Sequence, residues 1–453
     1  MARTITIKRG LRLRLSGAAP QDPLAALEVK GSYALVPDDF HGVLPKPEVH
    51  AGDSVLAGSP LFYSKEHPQM KFVSPVSGTV KAINRGAKRK ILSIEVEPEG
   101  NPLAPQFKEF PKGSALTGAA LKAHLLEGGM WGFFKQRPYD RVANPDVAPR
   151  DIFVTCAFTA PLAPAWEALV KGNEEYVATA LKALASLTAG KLYVGTQNAA
   201  LIPAVPEVSN LEVVNVKGPH PAGNVGVLIN HIAPVNKGEV VWTLKGTDLL
   251  VIGKFLATGK ADFSRTIAVT GSDAAKLGYL TLMPGCTGIE SLAAKKQKGS
   301  TRTIAGDPFT GIQLSSDRPF TPFNIDQITF LPEGDEINEV LGWAMPRFNQ
   351  YSMSRSYFSW LCPKKEYTLD TRIKGEERAM IMSNELSRVF PMDIYPEYLL
   401  KAIIAFDIDK MEQLGIYEVA PEDFAVCEFV DTSKLEVQYI VLKGLDLLYK
   451  EMN

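Results

Sequence analysis

Two short apolar runs on either side of a long amphipathic stretch constrain the fold of this chain more than any other feature. DIFVTCAF begins at residue 151 and KLYVGTQ at residue 191, and both have the length of buried strands. The stretch between them repeats apolar residues at helical spacing, at Leu169, Val177, Leu181, Leu184 and Leu187. A strand, a helix and a second strand form a βαβ unit, whose strands are parallel members of one sheet. The middle of the chain is therefore predicted to be a Rossmann-like α/β domain.

The segments around this unit have different patterns, and together they predict an α/β protein with additional all-β and α modules. Residues 1–105 contain short apolar runs broken by glycine turns, as in HAGDSVLAGSPLFY and FVSPVSGTVKAINRG, and are similar to the β-barrel of lipoyl and biotinyl carriers. Within them, TITIKRGLRLRL alternates apolar and basic residues and predicts a half-buried strand. Residues 106–260 form the α/β domain. Residues 261–335 are predicted to be a small β-grasp-like module of the soluble-ligand-binding type, and residues 336–453 a helical domain.

Composition argues against several classes of protein. The formal net charge of −1 removes any long-range attraction to nucleic acid or to an anionic membrane surface. Cys156, Cys286, Cys362 and Cys427 are far apart, so we expect buried thiols in a reducing compartment and no C-x-x-C site. The start of the chain lacks the apolar region of a signal peptide, and the longest apolar runs, such as Tyr398–Phe406, are too short to span a bilayer. We expect a protein that is soluble or that reaches a membrane only through partners.

The loop GGMWGFFKQRP, Gly128–Pro138, has the outline of a phosphate-binding loop but not its chemistry. Glycines follow a short predicted helix, ALKAHLLEGG, as they do where backbone N–H groups approach a phosphate. Trp131, Phe133 and Phe134 then occupy positions that such a loop keeps bare. Three neighbouring aromatic side chains would expose an apolar patch near the upper limit for a monomer, about 300–600 Å². They must pack in the core beneath a domain junction, be covered by a partner chain, or line a slot for a flat apolar ligand such as a quinone.

Polar residues near this loop and in one further turn complete the candidate quinone- or partner-facing surface. A quinone ring stacks on aromatic side chains, and its carbonyl oxygens accept hydrogen bonds from Arg or Tyr. The turn KGPHPAGN contributes a histidine that is either an acid/base group or a loop anchor, and His231 follows in NHIAPV. The histidines offer too few ligands for a metal site. The candidate residues are Trp131, Phe133, Phe134, Arg137, Tyr139 and His220.

A carrier function would require a lysine at a hairpin tip that takes a prosthetic group. Lys71 lies seven positions before Gly78, closer than the lysine in carrier domains, and Lys65 lacks the flanking motif. A barrel with ordinary surface lysines fits better than a modified one.

Specific strings along the whole chain resemble the A-subunit family of the bacterial sodium-translocating NADH:quinone reductase. They are ITIKRGL, SPVSGTVKAINRGAKR, GPHPAGN, MPGCTG, GWAMPRFNQYSMSR and FPMDIYPE, spread from Ile5 to Glu397. That family is related to the flavin- and NADH-binding subunit of respiratory complex I and to its counterpart in Rnf-type complexes. The resemblance implies an ancestral nucleotide-binding fold.

The same resemblance implies that this chain has lost the cofactor sites of those dehydrogenase subunits. Where the relatives hold flavin phosphate on a glycine-rich loop, this chain has Trp131, Phe133 and Phe134. Where they place an acidic stretch facing NADH, the strand here ends in Phe158–Pro161. Where they cluster cysteines for an iron–sulfur cluster, Cys427 stands alone, and one thiolate cannot replace four ligands.

The resemblance therefore implies a peripheral subunit on the cytoplasmic face of the bacterial inner membrane. The complex would oxidise NADH, reduce ubiquinone or menaquinone and export Na⁺. NADH, FAD, FMN, iron–sulfur or other iron centres and quinone would belong to the whole complex, with no cofactor, catalytic residue or metal ligand in this chain. Its partners would be five other subunits, including integral membrane ones, with no nucleic acid. The rival interpretations are a stand-alone flavin-dependent NADH dehydrogenase and a lipoyl- or biotin-type carrier.

Overall fold

The computed structural model describes residues 3–21, 31–294, 299–335, 348–355 and 357–452. The first strand, β1 (Arg3–Thr6), joins the central sheet of the molecule. The next seven strands form an N-terminal module of two antiparallel sheets, ordered β2-β8-β7-β4 and β3-β5-β6. These strands are β2 (Tyr33–Leu35), β3 (Pro45–Pro47), β4 (Ser54–Val55), β5 (Pro60–Ser64), β6 (Lys71–Val73), β7 (Gly78–Arg85) and β8 (Ile91–Pro98).

The central sheet has seven strands in the order β1-β13-β12-β11-β14-β9-β10, of which the first five are parallel and the last two antiparallel. The parallel βαβ unit predicted from the apolar runs is confirmed, since β11 and β12 pair in parallel. The elements are α1 (Gly118–Glu127), β9 (Lys135–Arg137), β10 (Arg141–Val142), β11 (Ile152–Cys156), α2 (Trp166–Val170), α3 (Glu174–Ala185), β12 (Leu192–Thr196), β13 (Leu211–Lys217), α4 (Val225–Ile232), β14 (Val241–Lys245) and α5 (Gly246–Thr258).

The single long helix predicted between β11 and β12 is instead two helices, α2 and α3. Gly172 lies between them with a φ of +79°, a left-handed conformation that glycine adopts at little cost and that ends a helix. The helical periodicity continues across the break because both helices cover the same sheet. Periodicity alone therefore could not locate the interruption.

A small β module and a group of helices complete the chain. The module has the strand order β16-β15-β19-β17-β18. Its strands are β15 (Arg265–Thr270), β16 (Gly278–Leu282), β17 (Thr301–Ala305), β18 (Ile312–Gln313) and β19 (Gln327–Pro332). The helices, as predicted, dominate the end of the chain: α6 (Glu385–Val389), α7 (Pro396–Ile404), α8 (Ile408–Gln413), α9 (Ala425–Val430) and α10 (Val437–Met452). Residues 336–347, which include the predicted start of the helical domain, lie outside the described residues.

The two faces of the central sheet belong to different apolar cores. Along β11, Ile152 and Val154 contribute to the core shared with the barrel-type module and the small β module, whereas Phe153 contributes to the core shared with the C-terminal helices. This alternation follows from the opposite directions of successive side chains in a strand. The sheet therefore holds the other modules together.

The predicted strand near the start of the chain lies in a different place from the one expected. Its sequence position assigns it to the barrel domain, but β1 pairs in parallel with β13, and only Arg3–Thr6 are a strand. The alternation itself is real, because Leu11, Leu13 and Leu15 are buried in the core shared with the C-terminal helices while Arg12 and Arg14 are exposed. An alternating pattern specifies a half-buried extended segment but not the module that it covers. The wider division at residues 105, 260 and 335 stays a prediction.

The prediction of buried thiols holds for three of the four cysteines. Cys156, Cys286 and Cys427 are buried thiols as expected, but Cys362 is exposed. Within the described ranges, none of the helices combines the length and the apolar character needed to cross a bilayer.

Candidate functional site

The order in which the chain adds strands to the central sheet reverses at β11, and this leaves a crevice at the ends of the strands. From β11 the chain proceeds through α2 and α3 to β12 on one side, whereas β14 pairs with β11 on the other side. In open α/β sheets, the crevice outside the carboxyl ends of the strands at such a switch point is the usual ligand site. The topology therefore predicts a ligand site at the carboxyl ends of β11 and β14.

A cavity of about 520 Å³ occupies this position, and we refer to it as the cleft. All four modules contribute to its wall. The α/β domain supplies the residues that follow β11, the start of α4 and the end of β14. The barrel-type module, the small β module and the C-terminal region close the other sides. Representative lining residues are Asp38, His41, Phe133, Thr159, His220, Asn224, Lys245, Asp307, Asp326, Glu422 and Gln438.

Ion pairs link β14 and α5 to the small β module at the base of the cleft. Lys245 Nζ lies 3.0 Å from Asp326 Oδ2, and Arg265 Nη2 lies 2.9 Å from Asp248 Oδ1. Burial opposes the ionisation of Asp326, but Lys245 and Arg265 hold the pKa of that carboxyl below its usual range. Burial raises the pKa of Asp248, and Arg265 opposes this rise. These groups mainly neutralise one another and join two modules.

His220 lines the cleft and has one ring nitrogen without a partner among the described residues. The backbone N–H of Gly223 donates to Thr159 Oγ1 over 2.9 Å, and that hydroxyl lies 3.2 Å from His220 Nδ1. When the Thr159 hydroxyl donates to Nδ1, the imidazole proton is on Nε2; in the other tautomer Nδ1–H donates to that hydroxyl, whose second lone pair accepts from Gly223. Nε2 is buried and has no hydrogen-bond partner among the described residues. The ring stacks on Phe309 at a centroid distance of 5.6 Å, which fixes its direction.

Burial should make the stability of the protein depend on pH through this histidine. Burial lowers the pKa of His220 to about 4, and Asp307 opposes this only in part. An unfolded histidine has a pKa of about 6.5, so the unfolded chain binds the additional proton as the pH falls from about 6.5 towards 4. Stability from the neutral folded histidine is thus present at pH 7 and is lost on acidification. We expect wild type to lose about 2 kcal/mol more unfolding free energy than His220→Gln between about pH 7 and pH 5, measured by urea unfolding. Equal losses would contradict the burial argument.

Trp131 and Phe134 of the aromatic loop are packed in the core. Trp131 is fully buried, its Nε1 donates to Ala143 O over 2.8 Å, and its ring stacks on Phe134 at 4.7 Å. Both rings meet Trp242 of β14 edge-on. They have no surface to offer a flat ligand, so the slot that the sequence suggests is not formed by these two residues.

The glycines of this loop serve close packing instead of phosphate contact. A Cβ atom on Gly128 would lie 2.3 Å from the Phe255 ring, and one on Gly132 would lie 2.6 Å from Phe40. Phe40 belongs to the barrel-type module and Phe255 to α5. The loop is thus a junction at which the α/β domain and the barrel-type module approach closely.

Phe133 differs from its two aromatic neighbours because it reaches the cleft. Its ring stacks on Phe323 at 5.2 Å, and the Arg265 guanidinium lies 5.0 Å from its centroid. It is largely buried but contributes to the cleft wall. Of the six candidate residues, the structure brings together Phe133 and His220 at this one cavity.

Arg137 lies in a buried ionic cluster rather than at a polar end of a slot. Its Nη1 lies 2.7 Å from Asp140 Oδ1, and its Nη2 lies 3.4 Å from Glu422 and 4.0 Å from Asp423. The side chain is completely buried. Burial raises the pKa of Asp423 to about 7, although Arg137 opposes this. The cluster joins the edge of the central sheet to the C-terminal region.

Tyr139 lines a second cavity of about 360 Å³, away from the cleft wall. Its ring meets Tyr449 edge-on at 5.3 Å, and the Arg141 guanidinium lies 3.6 Å from the Tyr449 centroid. The structure therefore separates Tyr139 from Phe133 and His220, although the sequence groups them.

Lys71, the candidate carrier lysine, starts β6 and is engaged by neighbours. Its Nζ lies 2.7 Å from Glu48 Oε2 and 4.6 Å from the centre of the Tyr63 ring. A lysine held in this way differs from the free lysine at a hairpin tip that a carrier requires.

Relatives that match along their whole length decide the family. The A subunit of the Na(+)-translocating NADH-quinone reductase of Pasteurella multocida is 34% identical over 452 residues, covering 99% of this chain and 100% of that protein. The corresponding subunits of Shewanella amazonensis and Saccharophagus degradans are each 33% identical, again over 99% of this chain and 100% of theirs. The chain belongs to the family of Na(+)-translocating NADH-quinone reductase A subunits. The resemblance drawn from the sequence strings is confirmed.

Two family descriptions agree with the observed modules. The NqrA N-terminal barrel-sandwich hybrid domain matches residues 5–99, and the NqrA second alpha/beta domain matches residues 116–261. A barrel-type module followed by an α/β domain is therefore established for this member of the A-subunit family. A chain of an NAD⁺-reducing [NiFe]-hydrogenase aligns with 41% of each chain at 12% identity and a TM-score of 0.31, which is too low to support an argument.

Sequence reasoning missed most of the cleft of this family member. Lys245 ends β14 and Asp248 lies in the first turn of α5, and a short apolar run followed directly by a helical pattern is the signal that could have found them. Asn324, whose buried Oδ1 has no partner among the described residues, had no such signal. Within the same described ranges, no cluster of three His, Cys, Asp or Glu residues could hold a metal ion.

Proposed function

We propose that this chain works as the A subunit of a complex that couples NADH oxidation by quinone to Na⁺ translocation. The single observation that carries this is identity of about one third over the full length of both this chain and its relatives. We further propose a peripheral position on the cytoplasmic face of the bacterial inner membrane, with five partner subunits that include integral membrane ones. The chain would contribute to an oxidoreductase without itself being catalytic.

We also propose that the fold is a cofactor-free derivative of a nucleotide-binding scaffold. The barrel-type module is lipoyl-like, the central domain Rossmann-like with a degenerate nucleotide site, and the small β module β-grasp-like. The packing of Trp131 and Phe134 against Trp242 supports this, because it fills the place where a glycine-rich loop would hold a phosphate. NADH, FAD, FMN, the iron–sulfur or other iron centres and quinone would act elsewhere in the complex.

Any quinone-side contact of this chain would lie at the cleft. In the tautomer protonated at Nε2, His220 offers a buried donor that suits a carbonyl oxygen, and the Phe133 ring forms part of the same wall. Trp131, Phe134 and Arg137 do not line the cleft and would make no direct contact with a quinone.

An affinity pull-down tests membership of the complex. The tagged chain is purified from detergent-solubilised native membranes, its partners are identified by mass, and the eluate is assayed for Na⁺-stimulated NADH:quinone reduction. We expect membrane subunits and Na⁺-dependent activity. A colourless chain that elutes alone would contradict membership, and a yellow chain with bound flavin would favour the rival dehydrogenase.

A pair of neighbouring phenylalanines tests the quinone-side role. In the assembled complex, Phe133→Ala should raise the KM for quinone about tenfold, because the cleft loses an apolar contact worth about 1.4 kcal/mol. Phe134→Ala is the matched control, since that ring is equally buried but does not line the cleft. Its KM should change less than about twofold. Equal KM values for both variants, with intact assembly, would exclude a quinone contact at Phe133.

A further inference from the structure

One surface segment, residues 348–365, has a cluster of exposed large apolar side chains. Phe348, Phe358, Trp360 and Leu361 are 64%, 48%, 51% and 57% exposed. Phe348 and Phe358 stack at a centroid distance of 5.8 Å, and Phe358, Trp360 and Leu361 belong to one 3-10 turn, Phe358–Leu361. We call these four residues the aromatic tip. At 150–250 Å² per large side chain, they expose roughly 400 Å² of apolar surface.

The base of this segment is anchored, which shows that the tip projects from a fixed attachment. Tyr367 is buried, its N–H donates to Arg14 O over 2.9 Å, and its carbonyl accepts from the N–H of Ser16 over 3.0 Å. Tyr351 meets the Tyr367 ring edge-on at 5.9 Å. The aromatic residues at the base are therefore used for packing, whereas those at the tip are left facing solvent.

The charges of the segment itself are mainly basic. Arg355, Lys364 and Lys365 are basic, and among the described residues from 348 to 366 the one acid is Glu366, beside Lys365. The Arg355 guanidinium lies 5.7 Å from the centre of the Trp360 ring. Lys365 Nζ donates to Phe348 O over 2.8 Å. The overall net charge of −1 conceals this local basic surface.

We propose that the aromatic tip inserts into the headgroup region of a bilayer that contains anionic phospholipid. Tryptophan and phenylalanine favour the membrane interface, and basic side chains beside them are attracted to anionic headgroups. The small apolar surface of the tip is enough for a shallow insertion into the headgroup region. A stable protein interface requires about 800 Å² from each partner, roughly twice what the tip presents. The cytoplasmic loops of membrane proteins are themselves basic, so they complement this surface poorly.

Vesicle flotation with the purified full-length chain tests this inference. The probe is a vesicle of phosphatidylcholine with about one third phosphatidylglycerol, compared with pure phosphatidylcholine. We expect flotation with the anionic vesicles, weakened by high salt. The combined change Phe358→Ser and Trp360→Ser should reduce binding at least tenfold, and each of Arg355→Gln, Lys364→Gln and Lys365→Gln should reduce it about fivefold.

The matched control is Phe406→Ser, which removes a side chain that is 74% exposed outside this segment and should leave binding unchanged. Thermal unfolding midpoints verify that every variant is folded. Tryptophan fluorescence adds a direct readout, because a blue shift on vesicle binding should vanish in Trp360→Phe.

The proposal fails if wild type does not float with anionic vesicles, or if the tip variants float as well as wild type. It also fails if the chain binds only vesicles that carry other subunits, because the tip would then be a protein contact. Since the assay uses the isolated chain and lipid, its failure leaves membership of the complex to the pull-down.

Discussion

Arg137→Met should destabilise the protein by about 3–5 kcal/mol, the largest effect that we expect from any single polar substitution. The guanidinium is completely buried and lies 2.7 Å from Asp140 and within 4.0 Å of Asp423. Methionine has a similar length but removes the cation of the cluster from beside Asp140 and the buried Asp423, and only Asp140 retains another cation, Lys135, at 3.2 Å. Denaturant unfolding of the full chain, followed by circular dichroism, measures the loss.

A second substitution separates the charge effect from packing. Asp140→Asn in the Arg137→Met background removes the carboxylate closest to the lost guanidinium, and asparagine tolerates the left-handed backbone at this position, where φ is 49°. The double variant should therefore recover part of the stability. Lys410→Met removes a cation from an exposed ion pair with Asp407 and should cause no measurable change. If Arg137→Met behaved like Lys410→Met, the buried cluster would not contribute as described.

Trp131→Ala should cost about 3–5 kcal/mol, because it empties a fully buried indole site at a junction between modules. The substitution removes the stacking on Phe134 and the contact with Trp242, and it deprives Ala143 O of a donor. Trp131→Phe should cost clearly less because it retains the ring contacts. Urea unfolding monitored by near-ultraviolet circular dichroism measures both.

The control for size is Trp360→Ala, which truncates the same side chain where it is half exposed. It should change the unfolding free energy by less than about 0.5 kcal/mol. A comparable loss in the two alanine variants would mean that Trp131 does not have the packing role that its burial indicates.

The elements that could be predicted are those whose signal is local. The strands β11 and β12 are short apolar runs, and α1 ends at a glycine, Gly128, as expected. The break between α2 and α3 and the location of β1 do not follow from the sequence pattern. Both depend on what a segment packs against, and an amphipathic pattern does not name its partner.

The candidate site also has parts that the sequence predicts and parts that depend on tertiary packing. Residue chemistry alone identifies Phe133 and His220, which meet at the cleft, but it groups them with Arg137 and Tyr139, which lie elsewhere. Residues close in sequence point in different directions across the 3-10 turn Met130–Phe133 and the strand β9 that follows it. Lys245 and Asp326, by contrast, are 81 positions apart and are joined by a contact of 3.0 Å.

The sequence by itself determined the family, the parallel βαβ core and the impossibility of a bare phosphate loop at Trp131, Phe133 and Phe134. These conclusions depend on residue identity and short-range spacing, which a single chain displays directly. Only the tertiary structure decided which of those aromatic side chains are core and which one faces a cavity. It also decided that the aromatic tip is left exposed to solvent. Burial is a property of what packs on a side chain from distant segments, and that information is distributed over the whole fold.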